Sequence, residues 1–415
     1  MIIDLQLETN EESNNFLRAL WNNFREQLGK CAWICMPYKY SNDNKIFLGL
    51  MSCNLTEPLS VYVWYKKRGV IDKLEFVANN DEELPEDTQK RINEVVNSTK
   101  KSYNDYKRQW IRCDVKSLAE FSAYSSDFFK IRPVDKRISS INIQVECYGE
   151  KDGEYIWRIK RKRLLNILSV LTNLPFYSCE LNENNITDVA EEVFYEDYID
   201  GYSCKDGVIL LVPYAKDIIN QILKYNKTIE DESIIKLLSA ASHFHAGRKF
   251  DAQIFDWDID VIEIKDEKGL HIIPQKSEFA IGLDVCDNLY EMAVISYISA
   301  LEVISTIVYP ESADRCSQCG QLLYSISRKV KDLLIKYLGE DNGKQVHKYY
   351  SSRSKFLHTG HMLSHIYVGV SIPQLEVNSE VGVELIQEVP LLNLREYVGY
   401  CIRCVIKDFF INRQE

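Results

Sequence analysis

The feature that most constrains this chain is a change in hydrophobic spacing near Ile229. Before it, short runs rich in aromatic and β-branched residues alternate with polar breaks. Cys31 to Pro37, Lys45 to Leu50, Leu59 to Lys67 and Leu74 to Val77 are separated by Asn, Asp, Pro or Gly, a strand pattern. Trp110 to Lys116, Ile138 to Tyr148 and Val208 to Pro213 extend it. Helices are expected from Pro85-Glu86-Asp87 to about Lys107, over Trp157 to Thr172 and over Ala215 to Tyr225. Proline and carboxylates open the first of these, where a helix N-terminus favours them.

After Ile229 the apolar period becomes helical. Leu322, Leu323, Ile326, Val330, Leu333, Leu334 and Leu338 form the stripe a bundle helix needs. Further helices are expected over Ser233 to Arg248, Leu283 to Tyr309, Lys344 to Thr359 and Leu391 to Ile411. Phe255 to Ile273 reads as a hairpin insertion, and Val368 to Pro373 with Glu384 to Pro390 as a second strand-bearing excursion. The expected architecture is an α+β N-terminal domain, residues 1–226, followed by an all-α helical bundle, residues 227–415. The bundle carries a β-rich insertion near residues 251–278.

With 415 residues, 46% of them hydrophobic, and only 17 Gly and 10 Pro, the chain has the apolar material for more than one packed core. A formal net charge of −11 argues against coating nucleic acid by bulk electrostatics. Charge is unevenly spread, however: residues 321–360 hold eight Lys and Arg against three Asp and Glu. The start, Met1-Ile2-Ile3-Asp4-Leu5, lacks the pattern of a secretory signal. Met292 to Tyr309 is interrupted by Glu302 and reads as a buried helix, so no membrane association is expected. Twelve scattered cysteines then point to reduced thiols in a cytoplasm.

Inside the basic stretch lies Tyr349-Tyr350-Ser351-Ser352-Arg353-Ser354-Lys355-Phe356-Leu357-His358-Thr359-Gly360. Arginine is a permanent planar cation that clamps phosphate, and histidine exchanges protons near neutral pH. Together they are the minimum chemistry for breaking an RNA phosphodiester. On an undistorted helix Arg353 and His358 differ by about 140° in azimuth. A swing of the long arginine side chain, fraying before Gly360, or a second subunit would bring such a pair to one phosphate.

This Arg-Ser-x-x-x-His-x-Gly pattern follows a Tyr-rich helix and the upstream Ile298-Ser299-Ala300-Leu301-Glu302. In that setting it resembles the Apea-like branch of the HEPN family, over roughly Asp284 to Phe410. The resemblance implies a helical bundle, a homodimer with motifs meeting across the two-fold, and a metal-independent ribonuclease of prokaryotic antiviral defence. It implies RNA, tRNA among the choices, as substrate, and a phage-derived trigger. His358 would be the general acid/base and Arg353 the cation at the phosphorane, giving a 2′,3′-cyclic phosphate and a 5′-hydroxyl. The other reading is a catalytically silent dimeric module that binds RNA or a protein.

Other residues complete the candidate set. Glu302 interrupts an apolar helix and should meet a partner such as Arg353, His358 or a lysine, as an ion pair or a catalytic orienter. Ser354, Tyr350, Lys348 and Lys355 flank the motif as phosphate or RNA contacts. Arg158, Lys160 and Arg161 begin a second basic run, read either as an RNA grip or as a solvated face. Cys316-x-x-Cys319 and Cys401-x-x-Cys404 have the spacing of a structural four-cysteine zinc site, with buried packing cysteines as the alternative. His358, His361 and His365 could suggest a metal, but Gly360 would break the helix between them. No cofactor is expected for catalysis.

Overall fold

A computed structural model describes residues 1–39, 44–53, 58–67, 69–78, 83–135, 137–179, 202–205, 208–225, 231–255, 260–266, 269–275, 283–310, 326–359, 389 and 391–411. The chain forms two compact units. One comprises Met1–Ile111 with Gln144–Arg158, the other Arg112–Ile143 with Ile159–Glu415. These bounds differ from the expected division at residue 226. The change of hydrophobic period marks where long helices begin, whereas a compact body is defined by pairing between distant segments. The N-terminal part is mixed α/β and the C-terminal part mostly helical.

The first unit is built on an antiparallel sheet. Its strands are β1 (Ile2–Asp4), β2 (Ala32–Ile34), β3 (Tyr38–Lys39), β4 (Lys45–Ser52), β5 (Leu59–Lys67) and β6 (Val70–Ala78), in the order β1-β6-β5-β4-β2 with β3 beside β4. Helices α1 (Asn10–Leu28) and α2 (Glu86–Ser102) supply the other layer. Phe16, Leu20 and Phe24 from α1 and Ile92, Val95 and Val96 from α2 share one core with Leu59, Val61, Val63, Leu74 and Phe76. The sequence expectations have no counterpart of α1, because charged and Asn residues interrupt its apolar positions. Its signal is the capping box: Thr9 Oγ1 accepts from Glu12 N at 3.1 Å, and Glu12 Oε2 accepts from Thr9 N at 3.1 Å. The returning segment is clasped to α1 by Arg18, which donates to both carboxylate oxygens of Asp152, at 3.0 and 2.8 Å, and to Glu146 O at 3.0 Å. Such a fork fixes geometry as well as charge.

The second unit begins within β7 (Lys107–Lys116). With β8 (Glu120–Phe121), β9 (Tyr124–Ser125), β10 (Phe129–Asp135), β11 (Ile138–Cys147), α3 (Glu150–Thr172) and β12 (Tyr177–Cys179), it brings a sheet ordered β12-β7-β11-β10-β9. A smaller sheet orders β13 (Tyr202–Lys205), β14 (Val208–Leu211) and β8. After α4 (Pro213–Leu223) and α5 (Glu232–Phe255), β15 (Asp260–Asp266) and β16 (Gly269–Gln275) form the expected hairpin. Then come α6 (Leu283–Val308), α7 (Ile326–Leu338), α8 (Glu340–Thr359) and α9 (Leu391–Ile406), which continues as a π turn over Lys407–Ile411. Residues 289–308 of α6 have a mean hydropathy of 1.6, and Ala293, Val294, Tyr297, Ile298, Leu301 and Ile304 are buried inside the unit. The second strand-bearing excursion lies outside the described residues.

Polar groups also sit in this core. Arg248 on α5 pairs with Asp251, to which Tyr297 Oη also donates, and Arg248 Nε donates to Asn173 O at 2.5 Å. Asn173 ends α3 in a left-handed conformation (φ 55°), and its side chain reaches Glu396 and accepts from Arg403 Nη1 at 3.0 Å. His245 is held neutral: Nδ1 donates to Asn166 Oδ1 at 2.8 Å, while Nε2 accepts from Phe176 N at 3.1 Å. Burial, with Lys249 and Arg248 adding to it, pushes the His245 imidazole down to about 3.

Candidate active site

Arg353 stands on α8, and its placement starts at a glycine. Gly339 takes a positive φ of 82° to end α7, and α8 starts immediately, with Glu340 and Asp341 in its first turn. A Cβ on Gly343 would lie 2.8 Å from Ile335 N, so the helices approach closely only because no side chain is there. Val346 and Tyr349 are buried, and Tyr349 Oη donates to Val389 O at 2.5 Å. His347 Nε2 lies 3.1 Å from Ser327 Oγ, and its ring stacks on Tyr350 at 5.7 Å. These contacts set the rotation of α8 about its axis.

That rotation turns Arg353 toward α6. Its Nη1 donates to Glu302 Oε1 at 2.7 Å and its Nη2 to Ser299 Oγ at 3.4 Å. The side chains of Arg353 and Glu302 are 21% and 17% exposed, so the pair is shielded but not sealed from solvent. Tyr350 joins it through a side-chain hydrogen bond to Glu302. Burial pushes the Glu302 carboxyl above the usual range, with Arg353 and Tyr350 acting against it. Burial and then Glu302 push the Tyr350 phenol up. Tyr350 is therefore a hydrogen-bond donor across the neutral range.

Sequence reasoning missed His243 on α5. It is exposed, yet partial shielding of its ring, and then the Arg353 cation, hold its pKa below the ordinary histidine value. No spacing rule connects residue 243 to residue 353; a histidine on an exposed helix face was the sole signal. The site thus gathers Arg353 and Tyr350 from α8 with Glu302 and Ser299 from α6, and His243 of α5 lies within electrostatic reach of Arg353. Such a group can fix a guanidinium against an anion and exchange a proton beside it.

The remaining sequence candidates are placed as follows. His358 lies in the last turn of α8, five residues beyond Arg353, and Lys355 between them; the side chains of both lie outside the described residues. Ser354 is half-buried and contributes none of the bonds above, and Lys348 is exposed on α8. Lys160 is 2% exposed, which removes it from the expected RNA-binding set: an ammonium inside the protein cannot neutralise a polymer's phosphates. Arg158 is exposed, and Arg161 is half-buried on the same helix. Cys401 is fully buried and Cys404 half-buried on α9, and burial drives the Cys401 thiol far above its ordinary pKa. Cys316 and Cys319, like His361 and His365, lie outside the described residues. Among the described residues no group of three or more His, Cys, Asp and Glu is arranged to hold a metal.

A scan of protein-family models, a search of curated proteins and a search of solved structures each returned no match for this chain.

Proposed function

We propose that the chain is a metal-independent endoribonuclease of HEPN type, acting as a dimer in prokaryotic antiviral defence, with the N-terminal part sensing the trigger or restraining the enzyme. The observation that carries this reading is the guanidinium of Arg353, held by Glu302 and Ser299, on the helix that carries His358 five residues later. A cation held in advance at a partly shielded site stabilises charge growing on the phosphorane without reorganising during the reaction. His358 moves the proton of the ribose 2′-OH or of the leaving 5′-oxygen, which contributes about 10²–10⁴ in rate. The 2′-oxygen displaces the 5′-oxygen, leaving a 2′,3′-cyclic phosphate and a 5′-hydroxyl.

Purified protein incubated with total bacterial RNA and tRNA in EDTA, beside Arg353→Ala and His358→Ala proteins, tests this. Fragments with cyclic phosphate ends, lost in both variants, are the expected result; fragments that persist in both variants would sink it. One observation favours a silent binding module instead: Glu302 already neutralises much of the Arg353 charge. That reading expects intact RNA and a salt-sensitive loss of RNA affinity in Arg353→Ala.

A further inference from the structure

We propose that His243 is a second proton-transferring residue of the Arg353 site, accepting the ribose 2′-OH proton while His358 protonates the leaving 5′-oxygen. The inference rests on the ribonuclease reading above and adds to it a residue from a third helix.

The register of α5 against α6 puts His243 there. The Tyr297 ring lies 5.5 Å from that of Phe244, a Cβ on Gly247 would come within 2.6 Å of it, and Tyr297 Oη donates to Asp251. Gly247 is therefore opposite Tyr297. His243 lies four residues before Gly247, about 6 Å along α5, and Ser299 and Glu302 lie two and five residues after Tyr297, about 3 and 8 Å along α6. Arg353 bonds to Ser299 and Glu302, and its cation also acts on His243. Both results follow if the two helices run in opposite directions, which sets His243 level with the ion pair.

The role follows from what surrounds the imidazole. His243 is exposed and so meets a ligand without any rearrangement of the core. Its neighbour on α5, His245, is locked between Asn166 and Phe176 inside the unit and cannot reach solvent. Among the described residues, the charged and titratable groups named at this level of α6 and α8 are Glu302, Arg353 and Tyr350. Partial burial of the ring and then the Arg353 cation favour the neutral imidazole, the form a general base needs. In the step, the 2′-OH proton passes to His243, the 2′-O–P bond forms, the P–O5′ bond breaks, and the His358 proton goes to the 5′-oxygen. Charge and protons balance with no further reactant.

Two measurements test this. The first uses full-length protein and an RNA oligonucleotide in normal form and with sulfur in place of the bridging 5′-oxygen, whose thiolate leaves without protonation. His243→Asn should lose about 10²-fold or more in kcat with little change in KM. That loss should remain on the 5′-thio substrate, whereas the loss in His358→Asn should largely disappear there. Wild-type rates in His243→Asn, or a defect that vanishes with the 5′-thio substrate, would overturn the assignment. Wild-type protein that leaves both RNAs intact would instead remove the ribonuclease reading, and this role with it. The second measurement needs no RNA: the His243 imidazole is titrated by NMR in wild type and in Arg353→Ala. Its pKa should rise once the cation is gone, and an unmoved pKa would overturn the juxtaposition whatever the cleavage assay shows.

Discussion

The two compact units bury different kinds of residue. In the first, one apolar core joins α1 and α2 to the sheet, and its buried polar side chains are mainly short ones such as Ser13, Asn22, Thr88 and Thr99. Its ion pair between Arg18 and the buried Asp152 holds the returning segment to α1. In the second, Arg248, Asp251, His245 and Arg403 are all at most 3% exposed; Arg248, Asp251 and Arg403 are joined through Asn173 and Tyr297, and His245 is held by Asn166 and Phe176. An apolar core gains from area removed from water and tolerates some sliding of its parts. A buried charged network loses heavily from any arrangement that leaves a member unpaired, so it favours one packing of its helices. The unit that carries Arg353 is the one whose helix register is specified this way.

The comparison can be broken first at Asp251. Asp251→Ala leaves the Arg248 guanidinium without its carboxylate inside the unit, and should destabilise the protein by about 3–5 kcal/mol in chemical denaturation. A loss below about 1 kcal/mol would mean that Arg248 finds another partner and that the network does not set the packing.

A second test uses pH. The folded-state pKa of His245 is about 3, below the roughly 6.5 of an unfolded histidine. Between these values the unfolded chain binds the extra proton. The stability contributed by the neutral ring is therefore complete above about pH 6.5 and is lost as pH falls toward 3, by up to about 1.4 kcal/mol per pH unit. His245→Gln should flatten that slope between about pH 4 and 6, as read from denaturation midpoints. An unchanged slope would place the acid sensitivity elsewhere.

The smallest effect belongs to the first unit, where local signals matter more. Thr9→Ala removes the side-chain acceptor of the α1 capping box and should cost about 1 kcal/mol, with earlier hydrogen exchange in the first turn of α1. No measurable change would show that packing of Phe16, Leu20 and Phe24 alone positions the helix.

Strand and helix identity was legible wherever neighbours in sequence carry the information. Leu59–Lys67 forms β5 as its alternation indicates, Pro85 stands immediately before α2, and α6 and α9 lie where helical periods place them. Elements whose apolar face is broken by polar residues were not legible, α1 above all. The domain division was not legible either, because β7, β11 and α3 each cross from one unit to the other while their local patterns stay uniform.

The candidate site divides along the same line. Arg353, His358 and Tyr350 stand out because they share one short segment, and Glu302 because a carboxylate interrupts an apolar helix. Only the tertiary structure decided that Glu302 and Tyr350 meet beside Arg353, that this cation acts on His243, and that Lys160 turns inward. The physical reason is range: secondary structure follows from periods of two and 3.6 residues, readable along the chain. A site drawn from α5, α6 and α8 depends on helix register, set by contacts such as Tyr297 on Gly247 between residues fifty positions apart.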